Sequence, residues 1–116
     1  MFWLACLSTA LASDFSFVVL SDTQGEGEAA SINWETVPQL MEDIRVHEPD
    51  VLMVAGGLVA GSESLETQNA QWGDFRSAVA DYPGDLMLIP GTSDLMAGEG
   101  SYDAWRSQFE MLPVDD

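Results

Sequence analysis

Three short apolar runs recur along the chain, and each stops at a cluster of turn-forming residues. They cover residues 15–20, 51–55 and 86–89. Each run is apolar at both odd and even positions, which is typical of strands buried on both faces of a parallel sheet. The segments that follow them have helical spacing, so we predict the order βαβαβα and an α/β fold with a mostly parallel sheet.

The helical segments carry apolar residues at spacings of three, four and seven, which predicts one buried face on each of three helices. Thr36 is placed to cap the first helix, and Pro38 falls in its first turn, where a missing N–H costs little. The second helix is predicted over about residues 67–80, and the third is short. The apolar positions are Val37, Leu40, Met41 and Ile44 in the first helix, Trp72, Phe75 and Val79 in the second, and Tyr102, Trp105 and Phe109 in the third.

Right-handed crossovers between parallel strands bring the carboxyl ends of all three strands to one edge of the sheet, here called the carboxyl edge. Ligands of open α/β sheets bind at this edge. The candidate site is therefore formed by the three turns that follow the strands. Their residues of interest are Asp22 and Gln24 in the first turn, Gly57 in the second, and Thr92, Ser93 and Asp94 in the third.

The charge of the 116-residue chain narrows its possible partners. It has 20 acidic residues against three arginines and no lysine, a formal net charge of −17. Nucleic acids and anionic membranes are bound by clustered Lys and Arg, so both are excluded as partners. The acids are scattered, which indicates a solvated surface, with weak attraction of cations as the alternative. A hydrophobic content of 47% argues against disorder.

The first 12 residues are apolar, too short to span a bilayer, and end in A-L-A, a small-x-small cleavage pattern. They predict a signal peptide and a secreted or periplasmic protein, with one domain over residues 13–116. A mis-set start codon and a buried first strand are the alternatives, because no Lys or Arg precedes the apolar core. Cys6, the only cysteine, would leave with the signal, which excludes redox chemistry by the mature chain.

The three turns resemble, in order, the motifs of calcineurin-like metallophosphoesterases. That family reads D-x-H after its first strand, G-D after its second, and G-N-H-D or G-N-H-E after its third. This chain has D-T-Q at 22–24, G-G at 56–57 and G-T-S-D at 91–94. The resemblance covers about residues 15–113. It implies the N-terminal half of the family's αββα sandwich, so the domain at 13–116 is expected to be truncated.

The resemblance implies a two-metal centre that binds a phosphoester and activates water, with Mn, Fe or Zn as the metal. Asp22 matches the family's first aspartate ligand, and Gln24 takes the place of a histidine ligand. A glutamine carbonyl binds hard cations but is a weaker ligand than imidazole for transition metals. Gly57 stands where the family has an aspartate that bridges both metals, and it offers no side chain.

The third motif departs further from the family. Thr92 replaces an asparagine ligand, Ser93 replaces the catalytic histidine, and Asp94 matches the acidic residue that orients that histidine. The metal positions that the resemblance leaves are Asp22, Gln24 and Asp94. We therefore predict a phosphoesterase-type protein whose hydrolysis is lost or very weak. A non-catalytic acidic binding module and a gene fragment are the alternatives.

Other chemistries have weaker support in the sequence. The G-T-S-D-L stretch at 91–95 resembles a serine-hydrolase elbow, but Leu95 replaces its second glycine, and His47, the sole histidine, is predicted at the opposite edge. Residues 22–33 partly imitate an EF-hand loop, but Asn33 stands where a bidentate glutamate is needed. The glycines after the second strand form neither a dinucleotide motif nor a P-loop with lysine.

The first strand also predicts an uncovered surface. Phe15, Phe17 and Val19 lie on one side of it, and Val18 and Leu20 lie on the other. Three helices cannot easily cover both faces of such a sheet, and the resemblance implies that an absent second sheet normally covers one. We therefore expect the chain to self-associate through this face or to remain a loosely packed monomer that binds hydrophobic dyes.

Overall fold

The computed structural model describes residues 14–109. The predicted cleavage after Ala12, the lone Cys6 and the last part of the family resemblance lie outside this range. The fold is α/β, with three parallel strands and three helices in the predicted order. These elements are β1 (Phe17–Leu20), α1 (Val37–His47), β2 (Val51–Ala55), α2 (Leu65–Val79), β3 (Asp85–Ile89) and α3 (Ser101–Gln108), with a 3-10 turn at Ser93–Leu95.

The sheet has the strand order β1-β2-β3, and both neighbouring pairs are parallel. Val19 pairs with Met53, which pairs with Met87, so alternate residues of the three strands form rows across one face. Two right-handed crossovers that step in the same direction place their helices on the same face of a sheet. The strand order therefore directs α1 and α2 to one side.

Within residues 14–109, one hydrophobic core lies between the sheet and the three helices. The core contains a cluster of aromatic side chains around Phe109, which follows α3. The centroid of the Phe109 ring lies 5.4 Å from that of Trp105 and 6.0 Å from that of Phe75. Burial of these rings stabilises the packing of α2 and α3 against the sheet. The buried core residues are Ile32, Val37, Met41, Ile44, Leu52, Val54, Leu58, Val59, Trp72, Phe75, Val79, Leu88, Trp105 and Phe109.

The other face of the sheet is open within the described part of the chain. Phe17, Val19 and Ile89 are 59%, 52% and 51% exposed. The prediction that the first strand is buried on both faces is therefore wrong, because all three helices pack on the side of Leu52 and Val54. The expectation of an uncovered face agrees with the structure. This surface, here called the open sheet face, consists of Phe15, Phe17, Val19, Val51, Met53, Ala55, Asp85, Met87 and Ile89.

The α1 helix begins after Thr36 as predicted, whereas the α2 helix begins two residues earlier than predicted. The α2 helix begins at Leu65, because the side chain of Ser64 accepts a hydrogen bond from the Thr67 N–H at 3.3 Å. Thr36 occupies the cap position of α1, but its side chain makes no cap hydrogen bond. Instead, its own N–H donates to the Asn33 side-chain oxygen at 3.1 Å. The turn before α1 is therefore closed by Asn33 and not by Thr36.

Two residues predicted on buried helix faces are exposed. Leu40 lies at the margin of the apolar face of α1, and Tyr102 stacks on the outer side of Trp105 with ring centroids 6.1 Å apart.

The longest described helix, α2, has 15 residues, whereas a bilayer span needs about 20. Among residues 14–109, no helix combines the length and apolar character that crossing a membrane requires.

Candidate functional site

Backbone hydrogen bonds join the turns after β1 and β2 at the carboxyl edge. The Asp22 N–H donates to the Gly56 carbonyl at 3.2 Å, and the Gln24 N–H donates to the Gly57 carbonyl at 2.9 Å. Asp22 has a φ of +55°, in the left-handed region that aspartate tolerates better than most residues. The ladder between the two strands thus continues into their turns, which holds the Asp22 and Gln24 side chains beside position 57.

The polar side chains at this edge converge on Gly57. A Cβ built at Gly57 would stand 2.9 Å from Asp22 Oδ1 and 3.0 Å from Gln24 Oε1. From the third turn, the Ser93 hydroxyl donates to Gln24 Oε1 at 3.0 Å. Ser21, beside the cluster, donates from its hydroxyl to Asp22 Oδ2 at 2.8 Å. The structure therefore brings together four of the positions that the sequence selected, from three separate turns.

Asp94 is placed differently, because its side chain turns into the protein. It is fully buried. Its Oδ2 accepts from the Gly91 N–H at 2.7 Å and the Leu58 N–H at 3.2 Å, and its Oδ1 accepts from the Val59 N–H at 2.8 Å. Burial raises the pKa of the Asp94 carboxyl, and these backbone donors partly oppose the rise. Asp94 therefore ties the turn after β2 to the turn after β3 and does not face the other candidate residues.

Two glutamines from α2 support the same turns, and the sequence interpretation missed them. Gln68 and Gln71 are buried. Gln68 donates to the Ser93 carbonyl at 3.0 Å and accepts from the Ala97 N–H at 2.7 Å. Gln71 accepts from the Gly61 N–H at 2.8 Å and donates to the Gly61 carbonyl at 3.3 Å. A usable signal existed, because both glutamines share the helical spacing of Trp72.

The stretch that partly imitates an EF-hand is closed by its own contacts. The Gly25 N–H donates to the Ser31 carbonyl at 3.2 Å, and Gln24 forms an isolated antiparallel bridge with Ile32. The Glu28 carboxylate accepts a hydrogen bond from the Ser62 hydroxyl at 2.6 Å. The Glu28 carboxylate is thus already hydrogen-bonded to the loop after β2.

The donor set at the carboxyl edge does not fit a two-metal centre. Asp22 supplies one exposed carboxylate, Gln24 supplies one carbonyl oxygen that already accepts from Ser93, and Gly57 supplies no side chain. Thr92 is exposed and precedes the 3-10 turn, and Asp94 is bonded to three backbone N–H groups. Within the described residues, no group of three or more His, Cys, Asp or Glu side chains could hold a metal ion.

His47 lies at the end of α1, shortly before β2 begins. Its helix runs back from the carboxyl edge, so the imidazole belongs to the opposite edge of the sheet. Ser93 therefore has no histidine of the described chain beside it as a base.

No protein-family model matches this chain, and comparison with curated proteins found no match.

Proposed function

We propose that the chain is a calcineurin-like metallophosphoesterase-type protein whose phosphoester hydrolysis is lost or very weak. The observation that carries this proposal is the environment of Asp94, whose two oxygens already accept three backbone hydrogen bonds in a buried position. The motif order supports the family type. The loss of activity is supported by the Asp94 carboxylate, whose oxygens are already hydrogen-bonded, and by the missing side chain at Gly57.

Hydrolysis by two metals needs a bridging anion and several ligands to hold both cations close to the substrate. Among the three atoms of residues 14–109 nearest to a Cβ at position 57, Asp22 supplies the carboxylate oxygen, and Gln24 is already paired with the Ser93 hydroxyl. A serine hydroxyl also cannot replace a histidine as a general acid near neutral pH, because its proton is far too weakly acidic. The arrangement can bind a hydrated hard cation weakly, but it lacks groups that would activate water.

We expect no turnover of bis(p-nitrophenyl) phosphate by the full chain with excess Mn²⁺. The release of nitrophenolate should equal that of a protein-free control and should be the same for Asp22→Ala, since one carboxylate cannot hold two metals. A metal-dependent rate that disappears in Asp22→Ala would contradict the proposal and would show that the site is an active phosphoesterase.

Gly57→Asp should raise the affinity for Mn²⁺ by about tenfold, because it adds a second carboxylate to the Asp22 and Gln24 oxygens. The new Cβ would point at both oxygens from 2.9 and 3.0 Å, so the Asp22 side chain must shift slightly. Gly57 has a left-handed φ of +62°. Glycine adopts this conformation without strain, whereas an aspartate at this position costs about 1 kcal/mol of stability. Titration calorimetry with Mn²⁺ measures the change in affinity.

Gly98→Asp is the matched control for this experiment. Gly98 also has a left-handed φ, of +81°, but a Cβ there would have no neighbour within 4 Å. Its carboxylate adds the same charge and the same backbone strain without entering the cluster. Equal Mn²⁺ affinities for the two variants would argue against the assignment of Gly57 to the family's bridging position.

A second candidate function is a non-catalytic interaction module, and the open sheet face favours it. An apolar surface that stays exposed on an otherwise acidic chain marks a contact site more often than an inert surface. This function is compatible with lost hydrolysis, because the contact surface and the carboxyl edge use different residues. The interaction-module function would be supported by absence of phosphoester turnover together with measurable binding of a partner to the open sheet face.

A further inference from the structure

We propose that the open sheet face binds a second copy of this chain and forms a symmetric dimer that salt strengthens. The proposal does not depend on the phosphoesterase assignment. Every strand contributes to the surface, and the pairing of Val19, Met53 and Met87 places three apolar side chains in one continuous row. At its edge, Phe15 packs on Phe17 with ring centroids 6.3 Å apart and extends the apolar surface beyond β1.

The exposed area reaches the lower limit for a specific dimer. The five most exposed apolar residues of the face, with exposed fractions from 40% to 68%, leave on the order of 500 Å² of apolar surface in water. Two copies would bury on the order of 1,000 Å² in total, where weak but specific interfaces begin. We therefore infer a dimer of micromolar affinity. These five residues are Phe15, Phe17, Val19, Met87 and Ile89.

The distribution of charge allows a second copy at high salt. Asp85, at the start of β3, is the one acidic residue among the nine that form the open sheet face. The net charge of −17 is therefore carried almost entirely by residues outside the contact. Its repulsion acts at long range and is screened by salt, whereas the apolar contact is not screened.

An isologous contact requires only one interacting surface on each copy. Two sheets pack face to face about 10 Å apart, with side chains that interdigitate between them. A two-fold axis between two copies presents the same residues from each side, so no separate complementary surface is needed. Met53 lies beside Val19, and Met87 lies beside Met53. Flexible methionine side chains can fill the gaps between facing aromatic rings.

Sedimentation velocity of the full chain, over a concentration series, tests the proposal at about 0.01 M and about 1 M ionic strength, where the Debye length falls from ~30 Å to ~3 Å. We expect a monomer–dimer equilibrium with a micromolar Kd at high salt and at least tenfold weaker association at low salt. Binding of a hydrophobic dye should fall as the dimer forms.

Val19→Glu and Val46→Glu form a matched pair of variants. Both valines are exposed, at 52% on the open sheet face and at 78% on α1, so both changes add one carboxylate to a solvent-facing valine. Val19→Glu should raise the high-salt Kd at least thirtyfold, and Val46→Glu should change it less than twofold. Met87→Gln, which nearly preserves side-chain volume, provides a second variant if Val19→Glu fails to fold.

The remaining outcomes overturn the proposal. A monomer at both salt concentrations that binds dye would mean that the face stays open. A monomer that does not bind dye would mean that another part of the chain, such as residues 1–13, covers it. A dimer that Val19→Glu and Met87→Gln do not weaken, or that Val46→Glu weakens equally, would place the contact elsewhere on the molecule.

Discussion

Asp94→Ala is expected to lower the free energy of unfolding by about 3–5 kcal/mol, because it leaves the N–H groups of Gly91, Leu58 and Val59 buried without an acceptor. Small domains have total stabilities of about 5–15 kcal/mol, so the variant should unfold at much lower denaturant concentrations. Chemical denaturation followed by the fluorescence of the buried Trp72 and Trp105 measures the loss.

Asp94→Asn tests which property of the carboxylate matters. The amide keeps the shape but turns one acceptor into a donor, which would face a backbone N–H, so we expect a loss of about 1–3 kcal/mol. Asp43→Ala is the control, because this carboxylate is exposed on α1, and surface changes usually stay within about 0.5 kcal/mol. Equal stability losses at positions 94 and 43 would contradict a structural role for Asp94.

The raised pKa of Asp94 also predicts how the difference in stability between the wild type and Asp94→Asn depends on pH. Burial favours the neutral carboxyl in the folded chain. Between its ordinary pKa and the raised one, folding takes up a proton, so the contribution of Asp94 to stability falls as pH rises through that window. The advantage of the wild type over Asp94→Asn should therefore be larger on the acidic side. An advantage that grew with rising pH would mean that folding lowers the pKa of Asp94.

Gly61→Ala should destabilise the fold by about 3 kcal/mol or more, for two reasons that add. The residue has a φ of +87°, and a left-handed alanine costs about 1–2 kcal/mol. In addition, a Cβ at this position would overlap the carbonyl oxygen of Ser93, which is itself held by Gln68. Backbone cannot yield as a flexible side chain can, so the loops after β2 and β3 must separate. Thermal and chemical unfolding both measure the effect.

Gly98→Ala separates these two reasons. Gly98 has a nearly equal φ of +81° and open space around its Cβ, so this variant should lose only the backbone contribution of about 1–2 kcal/mol. The difference between the two variants reports the steric contact between Gly61 and Ser93. If Gly98→Ala proved as damaging as Gly61→Ala, overlap of the new Cβ with Ser93 would not explain the loss of stability.

Buried side-chain oxygens hold together the turns at the carboxyl edge. Asp94, Gln68 and Gln71 use all their hydrogen-bonding oxygens on backbone N–H groups of the turns. The polar residues that sequence motifs would assign to chemistry are thus divided between a small exposed cluster around Gly57 and a buried framework beneath it. The framework ties the loops together, and the exposed cluster presents the Asp22 carboxylate beside the Gln24 side-chain oxygen.

The number, order and type of the elements could be predicted from the sequence. Runs such as residues 51–55, which are apolar at both odd and even positions, indicate strands. The spacing of Val37, Met41 and Ile44 indicates a helix. These signals are local, since each depends only on which neighbouring residues must leave water. The convergence of the three turns at one edge also follows from chain order, because parallel strands joined by right-handed crossovers end on the same side.

The tertiary structure alone decided which surfaces are covered. No local pattern specifies that β1, β2 and β3 are arranged in that order, and this order places α1 and α2 on one face. The residues Val18 and Val19 are chemically alike and adjacent, yet one packs against the core and the other is 52% exposed. Their environments differ because burial depends on the position of distant helices and not on the residue itself.

The same distinction applies to the candidate site. The sequence by itself determined that Asp22, Gln24 and Asp94 reach the carboxyl edge, because each follows an apolar strand. Only the tertiary structure decided that Asp94 turns inward, since its partners Leu58 and Val59 lie 36 and 35 residues away along the chain. A carboxylate is directed by the donors around it, and those donors are assembled only when the loops after β2 and β3 come together.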